Sequence, residues 1–285
     1  MKLVNILYIY SSSSTPLHLL PVYHAYSFQS VFRKGGRTQP WLVLVNEGTK
    51  LVPYVVKMFT PYFIETFDSL TNEVLGNVLA QQFDLPVPQA ALIIMDENFE
   101  MTINDMQALN ELPLKDERIK FGTRLITSAI EFQKGAFTSS DIKSITEIDT
   151  VFAFDFLIQN RDRNNGKPNF LISNRTGYLI DHEKGFTIET NTASKLLVNP
   201  FSQGLLNYHI FYDFLYSSVA KTKEQYFDTF VEYLKNLNPN ILDSYFSQLA
   251  MYGFSSSRYK ILKDYLLEMK SNWSKFGKTM QIIIS

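Results

Sequence analysis

The chain has 285 residues, with 27 Lys and Arg against 28 Asp and Glu, a formal charge of −1; no basic excess is available to neutralise a nucleic-acid backbone, so direct nucleic-acid binding is not expected. Hydrophobic residues make up 45% and charged residues 19%, the latter below the roughly 25% of an average globular chain, which excludes disorder and leaves one large domain or two lobes. The lack of cysteine excludes disulfides, thiolate metal sites and a cysteine nucleophile.

Residues 1–14 open with Lys2, an apolar run interrupted by Asn5, and serines at 11–14. The pattern faintly resembles a secretory leader, but the run is short and interrupted and no Ala-x-Ala site follows, so secretion is not expected. No stretch approaches the roughly 18 apolar residues of a membrane span, so a cytoplasmic chain is expected. A basic, glycine-bearing loop, Arg33-Lys34-Gly35-Gly36-Arg37, precedes a strand at 41–45. Asn46-Glu47-Gly48 is a turn signal, and 51–59 reads as a second strand carrying Lys57, which makes a hairpin. A helix is predicted over 69–83, with Leu75, Val78, Leu79 and Phe83 at helical spacing. Leu85-Pro86-Val87-Pro88 stops it, strands follow at 90–95 and 120–126, and 96–118 is a polar excursion without clear pattern. Residues 1–126 thus read as a small β-rich lobe with one principal helix.

The second half differs. An apolar helix over 148–159 runs into a polar loop and a short hairpin, and from 201 onward the pattern is mostly helical. Asn238-Pro239 reads as the start of one helix, and Leu262, Leu266, Met269, Trp273 and Phe276 stripe another. The expected fold is therefore α+β and two-lobed, with a mainly helical lobe over 127–285 and a ligand cleft between the lobes.

The chemistry concentrates in Asn160-Arg161-Asp162-Arg163-Asn164-Asn165-Gly166-Lys167-Pro168-Asn169 and, past a turn at 174–177, in Ile180-Asp181-His182-Glu183. With that turn, Ser173 faces Tyr178 and Phe170 faces Asp181, so the Asp181 carboxylate stands beside Asn169 at the open end of the hairpin. Two oxygen ligands with a third carboxylate, Asp162, on the preceding loop suit a Mg²⁺-phosphate site. Asp162 fits a proton acceptor for a substrate hydroxyl, and Asn169 and Asp181 fit metal ligands. Asn165 is the other candidate amide, although Asn-Gly is a turn signal in its own right. Taken singly the loop could be a solvated turn; the joint placement with Asp181 favours a site. Lys57 on its strand and Glu73 at the start of the helix are expected to pair across the cleft, although a first-turn Glu also suits the helix dipole. Gly35-Gly36 lacks the Gly-x-Gly-x-x-Gly spacing. His182 lies in the motif, while His18, His24 and His209 are scattered, so no histidine metal cluster is expected.

Asn160-Arg161-Asp162-Arg163, Lys167-Pro168-Asn169-Phe170-Leu171-Ile172 and Ile180-Asp181-His182 resemble the HipA-like kinase family. So do Gly35-Gly36 with Pro40, Tyr54-Val55-Val56-Lys57, Asn72-Glu73-Val74, Leu85-Pro86-Val87-Pro88 and Phe121-Gly122-Thr123, in order over residues 25–190. The resemblance implies a two-lobed kinase-like fold, use of ATP with Mg²⁺, and phosphorylation of Ser or Thr in a protein. It implies nucleotide contacts from Gly35, Gly36, Arg37, Lys57 and Arg124, adenine near strand 120–126 and the linker after it, and a partner of the antitoxin type. The loop motif is more distantly similar to phosphoinositide kinases. Two features depart from the pattern: the glycine-rich loop is reduced, and Lys167 stands five residues after Asp162, where kinases place the metal-binding Asn. A lipid or small-molecule kinase, or a nucleotide-binding pseudokinase acting as an interaction module, are the alternative readings.

Overall fold

Every second side chain of a strand faces the same way, and Trp41, Val43 and Val45 use that alternation to bury themselves from strand β2 (Trp41–Asn46). The computed structural model of the chain describes residues 19–33, 38–203 and 208–285. Gly35, Gly36 and Arg37, with the serine-rich start, lie outside the described residues. Strand β3 (Leu51–Val56) returns along β2, pairing Asn46 with Leu51 and Trp41 with Val56. The turn between them is held by Glu47 N–H on Lys50 O (3.0 Å) and Gly48 N–H on Asn46 Oδ1 (2.8 Å). Gly48 sits at φ 89°, a conformation that glycine adopts without a Cβ penalty.

The strand at 41–45 is not the first. A ten-residue strand, β1 (Val22–Val31), precedes it and pairs antiparallel with β2. Register shifts between Ala25 and Ser27 and between Phe28 and Ser30 break its alternation, so its buried residues, Ala25 and Phe28, fall three apart and show no period of two. Strand β1 also pairs parallel with β4 (Ala90–Ile94), which pairs with β5 (Lys120–Arg124), which pairs with β3. The five strands close into a barrel in the order β1-β2-β3-β5-β4. Phe28, Trp41, Val43, Tyr54, Val56 and Ile93 fill one core cluster, together with Phe99 and Ala108. Those last two come from 96–118, which is not loosely patterned. It holds short helices, Glu97–Glu100 and Met106–Glu111, whose first turns are capped by the side chains of Asp96 and Asp105.

Two helices cross from β3 to β4. Helix α1 (Pro61–Phe67), absent from the sequence reading, starts on a proline and ends at Asp68, which sits at φ 52°. Helix α2 (Ser69–Gln82) starts at once and is buried on all sides from Ser69 to Ala80. It lies against β5 and against the helix Ile241–Met251, so both faces are covered.

After β5 the chain passes to a second sheet of three strands, β6 (Ile130–Glu131), β7 (Phe170–Ser173) and β8 (Thr176–Leu179). The β7–β8 register differs from expectation. Phe170 faces Leu179 and Ser173 faces Thr176, because the turn is only Asn174 and Arg175, both left-handed at φ 49° and 60°. Two left-handed residues make the tight hairpin turn that suits the strand twist, and Asn accepts that conformation more readily than most residues. Gly177 admits the ring of Phe170; a Cβ there would stand 2.1 Å from its Cζ.

The remainder is helical, including Ile148–Leu157, Asp228–Asn236, Tyr259–Ser271 and Trp273–Ile284. Asn238-Pro239 forms the turn before a helix rather than its first residues: the helix opens at Ile241, and Asn238 O accepts the Ile241 N–H at 3.1 Å. The expected single stripe is divided, with Leu262, Leu266 and Met269 on one helix, Trp273 and Phe276 on the next, and Asn272 between them. The architecture is mixed α and β, with a β-rich N-terminal region and a helical C-terminal region. Among the described residues no helix is long and apolar enough to cross a membrane.

Candidate active site

Lys57 follows β3 directly, and its backbone N–H still donates to Phe121 O at 2.9 Å, so the barrel wall fixes where the side chain starts. Its ammonium lies 2.6 Å from Glu73 Oε1, 2.6 Å from Asp181 Oδ1 and 3.7 Å from Glu183 Oε2. The expected Lys57–Glu73 contact is present, and Asp181 joins it from beyond β8. Three carboxylates surround one ammonium. Glu73, Asp181 and Glu183 each place an oxygen within 4.8 Å of the others.

Helix α2 holds the Asp181-His182-Glu183 segment as well as Lys57. Glu73 Oε2 accepts the His182 backbone N–H at 3.0 Å, and Asn72 Nδ2 donates to Glu183 O at 2.9 Å. One turn on, Gly76 faces the His182 side chain so closely that a Cβ would stand 2.3 Å from His182 Cβ. Residues 72, 73 and 76 fall on one helix face.

The electrostatics follow from burial and from the charge imbalance. Burial alone would lower the pKa of Lys57, but Asp181, Glu73 and Glu183 outweigh it and hold the pKa above the ordinary lysine value. Burial raises Glu73 to about 7, against the pull of Lys57 and with the push of Asp181 and Glu183. Burial likewise raises Glu183. Asp181 moves the other way: burial opposes ionisation, but the charge and hydrogen bond of Lys57 prevail and lower its pKa. Burial, helped by the charge of Arg163, holds His182 neutral with a pKa of about 3.

Asp162 lies on the loop that leaves the helix Ile148–Leu157. That helix turns off where Gln159 adopts φ 57° and Asn160 N–H donates to Asp155 O at 2.8 Å. Asp162 is buried, with its N–H on Asn160 Oδ1 at 3.1 Å. Two half-exposed ammonium groups reach its carboxylate: Lys184 at 3.4 Å and Lys167 at 3.6 Å. Asn169 is buried and donates its amide to Asp162 O at 3.3 Å, whereas Asn165 is exposed. Ile180 N–H donates to Asn169 O at 3.1 Å, so at the open end of the hairpin the backbone of Asn169 meets that of the residue before Asp181, two residues out of the expected register. Arg124 is turned elsewhere: its guanidinium forks onto Glu47 at the β2–β3 turn, and the structure does not bring it to this cluster.

Around Lys57 the carboxylates of Glu73, Asp181 and Glu183 supply the ligand oxygens, and Asp162 Oδ2 and Glu183 Oε2 are buried with an ammonium at 3.6 and 3.7 Å but no hydrogen bond. Hard oxygen donors in carboxylate excess, not closed off by hydrogen bonds, fit a Mg²⁺ ion that phosphate oxygens could share. An open groove of about 670 Å³ lies elsewhere, beside Phe227, Val231, Trp273 and Gly277. Titratable chemistry, not volume, marks the candidate site.

The sequence reading missed several participants. Gly76 carries the signal of a glycine inside a helix, and Asp155 that of an acid inside an apolar helix. Glu183 stands in the run Ile180-Asp181-His182-Glu183 but has no role in that reading, and Lys184 follows it directly. His209 carries no local signal.

A family model described as HipA-like kinase matches residues 30–244 of the chain. No curated protein matches it. Among solved structures, the crystal structure of a Helicobacter pylori proinflammatory kinase, CtkA, is 16% identical, with 93% of this chain and 98% of that one covered and a TM-score of 0.45.

Proposed function

The chain belongs to the HipA-like kinase family, and from that membership we propose that it is an ATP- and Mg²⁺-dependent kinase transferring the γ-phosphoryl group to Ser or Thr of a protein. The observation that carries this reading is the joint placement of Lys57, Glu73 and Asp181 in one ion cluster with Asp162 on the adjoining loop.

Each residue then has a task. Asp162 takes the proton of the substrate hydroxyl as its oxygen attacks the γ-phosphorus; the new O–P bond forms, the bond to the β–γ bridging oxygen breaks, and ADP leaves. Lys57, oriented by Glu73, faces the phosphates. Lys184 and Lys167, at the Asp162 carboxylate, place positive charge where negative charge spreads over the transferred group. Asp181 and Asn169 would hold Mg²⁺, with Glu183 as a further oxygen. When bound, the ion neutralises phosphate charge. In this reading residues 1–126 form the nucleotide-binding lobe and 127–285 the catalytic lobe, of a kinase-like fold, and adenine sits at the passage from β5 to β6. A cytoplasmic location and an antitoxin-type protein partner belong to the reading through the family alone.

The test is incubation of the chain with γ-labelled ATP and Mg²⁺ in lysate, followed by separation of protein, lipid and small-molecule fractions. Acid-stable label on Ser or Thr is the expected outcome. Label confined to lipid or small molecules would move the substrate class, and no label in any fraction would overturn the reading.

A further inference from the structure

Behind the open end of the β7–β8 hairpin lies a buried chain of polar side chains that ends on His209. Arg163 leaves the Asp162 loop and turns inward until it has no exposed surface. Its Nη1 donates to two backbone carbonyls, Asn169 O and, at 3.3 Å, Ile180 O. Those carbonyls belong to Asn169 itself and to the residue before Asp181. Arg163 Nε donates to Asp155 Oδ2 at 2.6 Å, and Asn160 Nδ2 donates to Asp155 Oδ1 at 2.9 Å. The same Asp155 Oδ2 meets His209 Nε2 at 3.0 Å.

The His209 ring has a defined tautomer. The backbone N–H of Phe211, which can only donate, points at Nδ1 at 3.1 Å. Nδ1 is therefore the acceptor, and Nε2 carries the proton that goes to Asp155. The backbone is registered as well, since His209 bridges to Asn164 and Ile210 N–H donates to Arg163 O at 3.4 Å. Phe152 and Phe211 pack edge-on to the ring, at centroid distances of 5.0 and 5.8 Å.

The geometry points to His209 as a positioning residue for the proposed cation ligands: through Asp155 and Arg163 it fixes the backbone of Asn169 and of Asp181. Stability alone does not explain the arrangement, because a buried ion pair returns little compared with apolar side chains of the same volume. What Asp155 and Arg163 provide is direction. Arg163 reaches both carbonyls with its Nε held on Asp155 Oδ2, and Asp155 is itself held by His209 on that same oxygen and by Asn160 on the other. This inference rests on the reading of Asn169 and Asp181 as cation ligands.

The test is a titration of the full chain with Mn²⁺, read by electron paramagnetic resonance, in the presence of a non-hydrolysable ATP analogue. His209→Phe keeps a ring among Phe152 and Phe211 and removes the donor. It is expected to weaken Mn²⁺ binding by about tenfold, the lower end of the range for lost support behind a metal ligand. His209→Gln, which keeps an amide donor, should recover part of that loss. Gly277→Ala serves as a folding control, since its Cβ would stand 2.8 Å from Val231 Cγ2 at the crossing of the helices Asp228–Asn236 and Trp273–Ile284, which carry none of these residues; it should lower stability and leave Mn²⁺ binding as in the parent. A folded His209→Phe with the parent's Mn²⁺ affinity overturns the inference, as does an equal loss in Gly277→Ala. If His209→Phe does not fold, the ¹⁵N resonance of His209 Nε2–H in the parent decides. It should shift on saturation with Mg²⁺ and the analogue, and an unmoved signal overturns the inference. A parent that binds no Mn²⁺ overturns the cation-site reading itself.

Discussion

Lys57 is shared among three carboxylates, and Glu73 is shared between Lys57 and the backbone of His182. Removing either partner therefore disturbs one unit. Lys57→Ala and Glu73→Ala should each weaken productive ATP use, and the double variant should be little worse than either single one, which a double-mutant cycle on turnover measures. Additive losses would show that the contact does not act as a pair. The amides make a second test. Asn169 is buried and tied to Asp162 O, while Asn165 is exposed in its turn. Asn169→Ala should raise the Mg²⁺ midpoint for turnover and Asn165→Ala should leave it near the parent's. Asp181→Ala should be the most severe, because a charged ligand is lost. Lys57, Glu73, Asp162, Asn169 and Asp181 were legible in the sequence because each sits in a short run whose residue types suit one chemistry. Asp155, Arg163 and His209 were not, because their meaning lies in contacts between distant segments: a polar residue in an apolar helix says that a partner exists and not which one.

Helix α2 carries Asn72, Glu73 and Gly76 to one segment, so its distance from Asp181-His182-Glu183 sets the geometry of the cluster. Gly76→Ala would put a methyl group 2.3 Å from His182 Cβ and 2.4 Å from Cγ. Overpacking of this kind costs about 1–3 kcal/mol, and here it should also part Glu73 from the His182 N–H, lowering turnover along with stability. Gly135→Ala, with nothing within 4 Å of its new Cβ, should stay within about 0.5 kcal/mol of the parent. Urea unfolding and turnover of the two variants check this. Most elements could be located from pattern and punctuation, among them the β2–β3 hairpin, α2 and the apolar helix before Asp162. Strand β1 escaped because bulges erase its alternation, and α1 because a single left-handed residue, Asp68, separates it from α2. The β7–β8 register slipped because Asn174-Arg175-Thr176-Gly177 reads as a four-residue turn, although the chain turns on its first two residues and Gly177 is needed inside the strand for Phe170.

Across the whole molecule, a few polar ties join the N-terminal elements to the C-terminal helices: Gln248 clamps both backbone groups of Leu20, Arg118 reaches Gly253 O, and Arg258 pairs with Asp68. These ties and the shared core make stability and site geometry one problem, and pH reads both. His182 is held neutral in the fold, with a pKa of about 3 against about 6.5 when unfolded. Its contribution is complete above the unfolded value and is lost as pH falls toward the folded one. Glu73, raised to about 7, acts in the opposite sense: its protonation favours the fold as pH falls from about 7 toward the unfolded value. Between pH 7 and 5 the two effects therefore oppose one another in the parent. His182→Asn should remove the acid loss and make the protein relatively more stable at pH 5. Glu73→Gln should leave the loss uncompensated and do the reverse. Denaturant midpoints at the two pH values decide, and identical pH responses in both variants would contradict these assignments. If Asp162 accepts the hydroxyl proton while the Lys57 cluster holds the nucleotide, Asp162→Asn should bind a nucleotide analogue like the parent and, on the same preparation, transfer phosphate from γ-labelled ATP in a single turnover about 10²–10⁴ more slowly. Transfer at the parent's rate, or loss of nucleotide binding with a parent-like rate at saturation, would contradict both assignments.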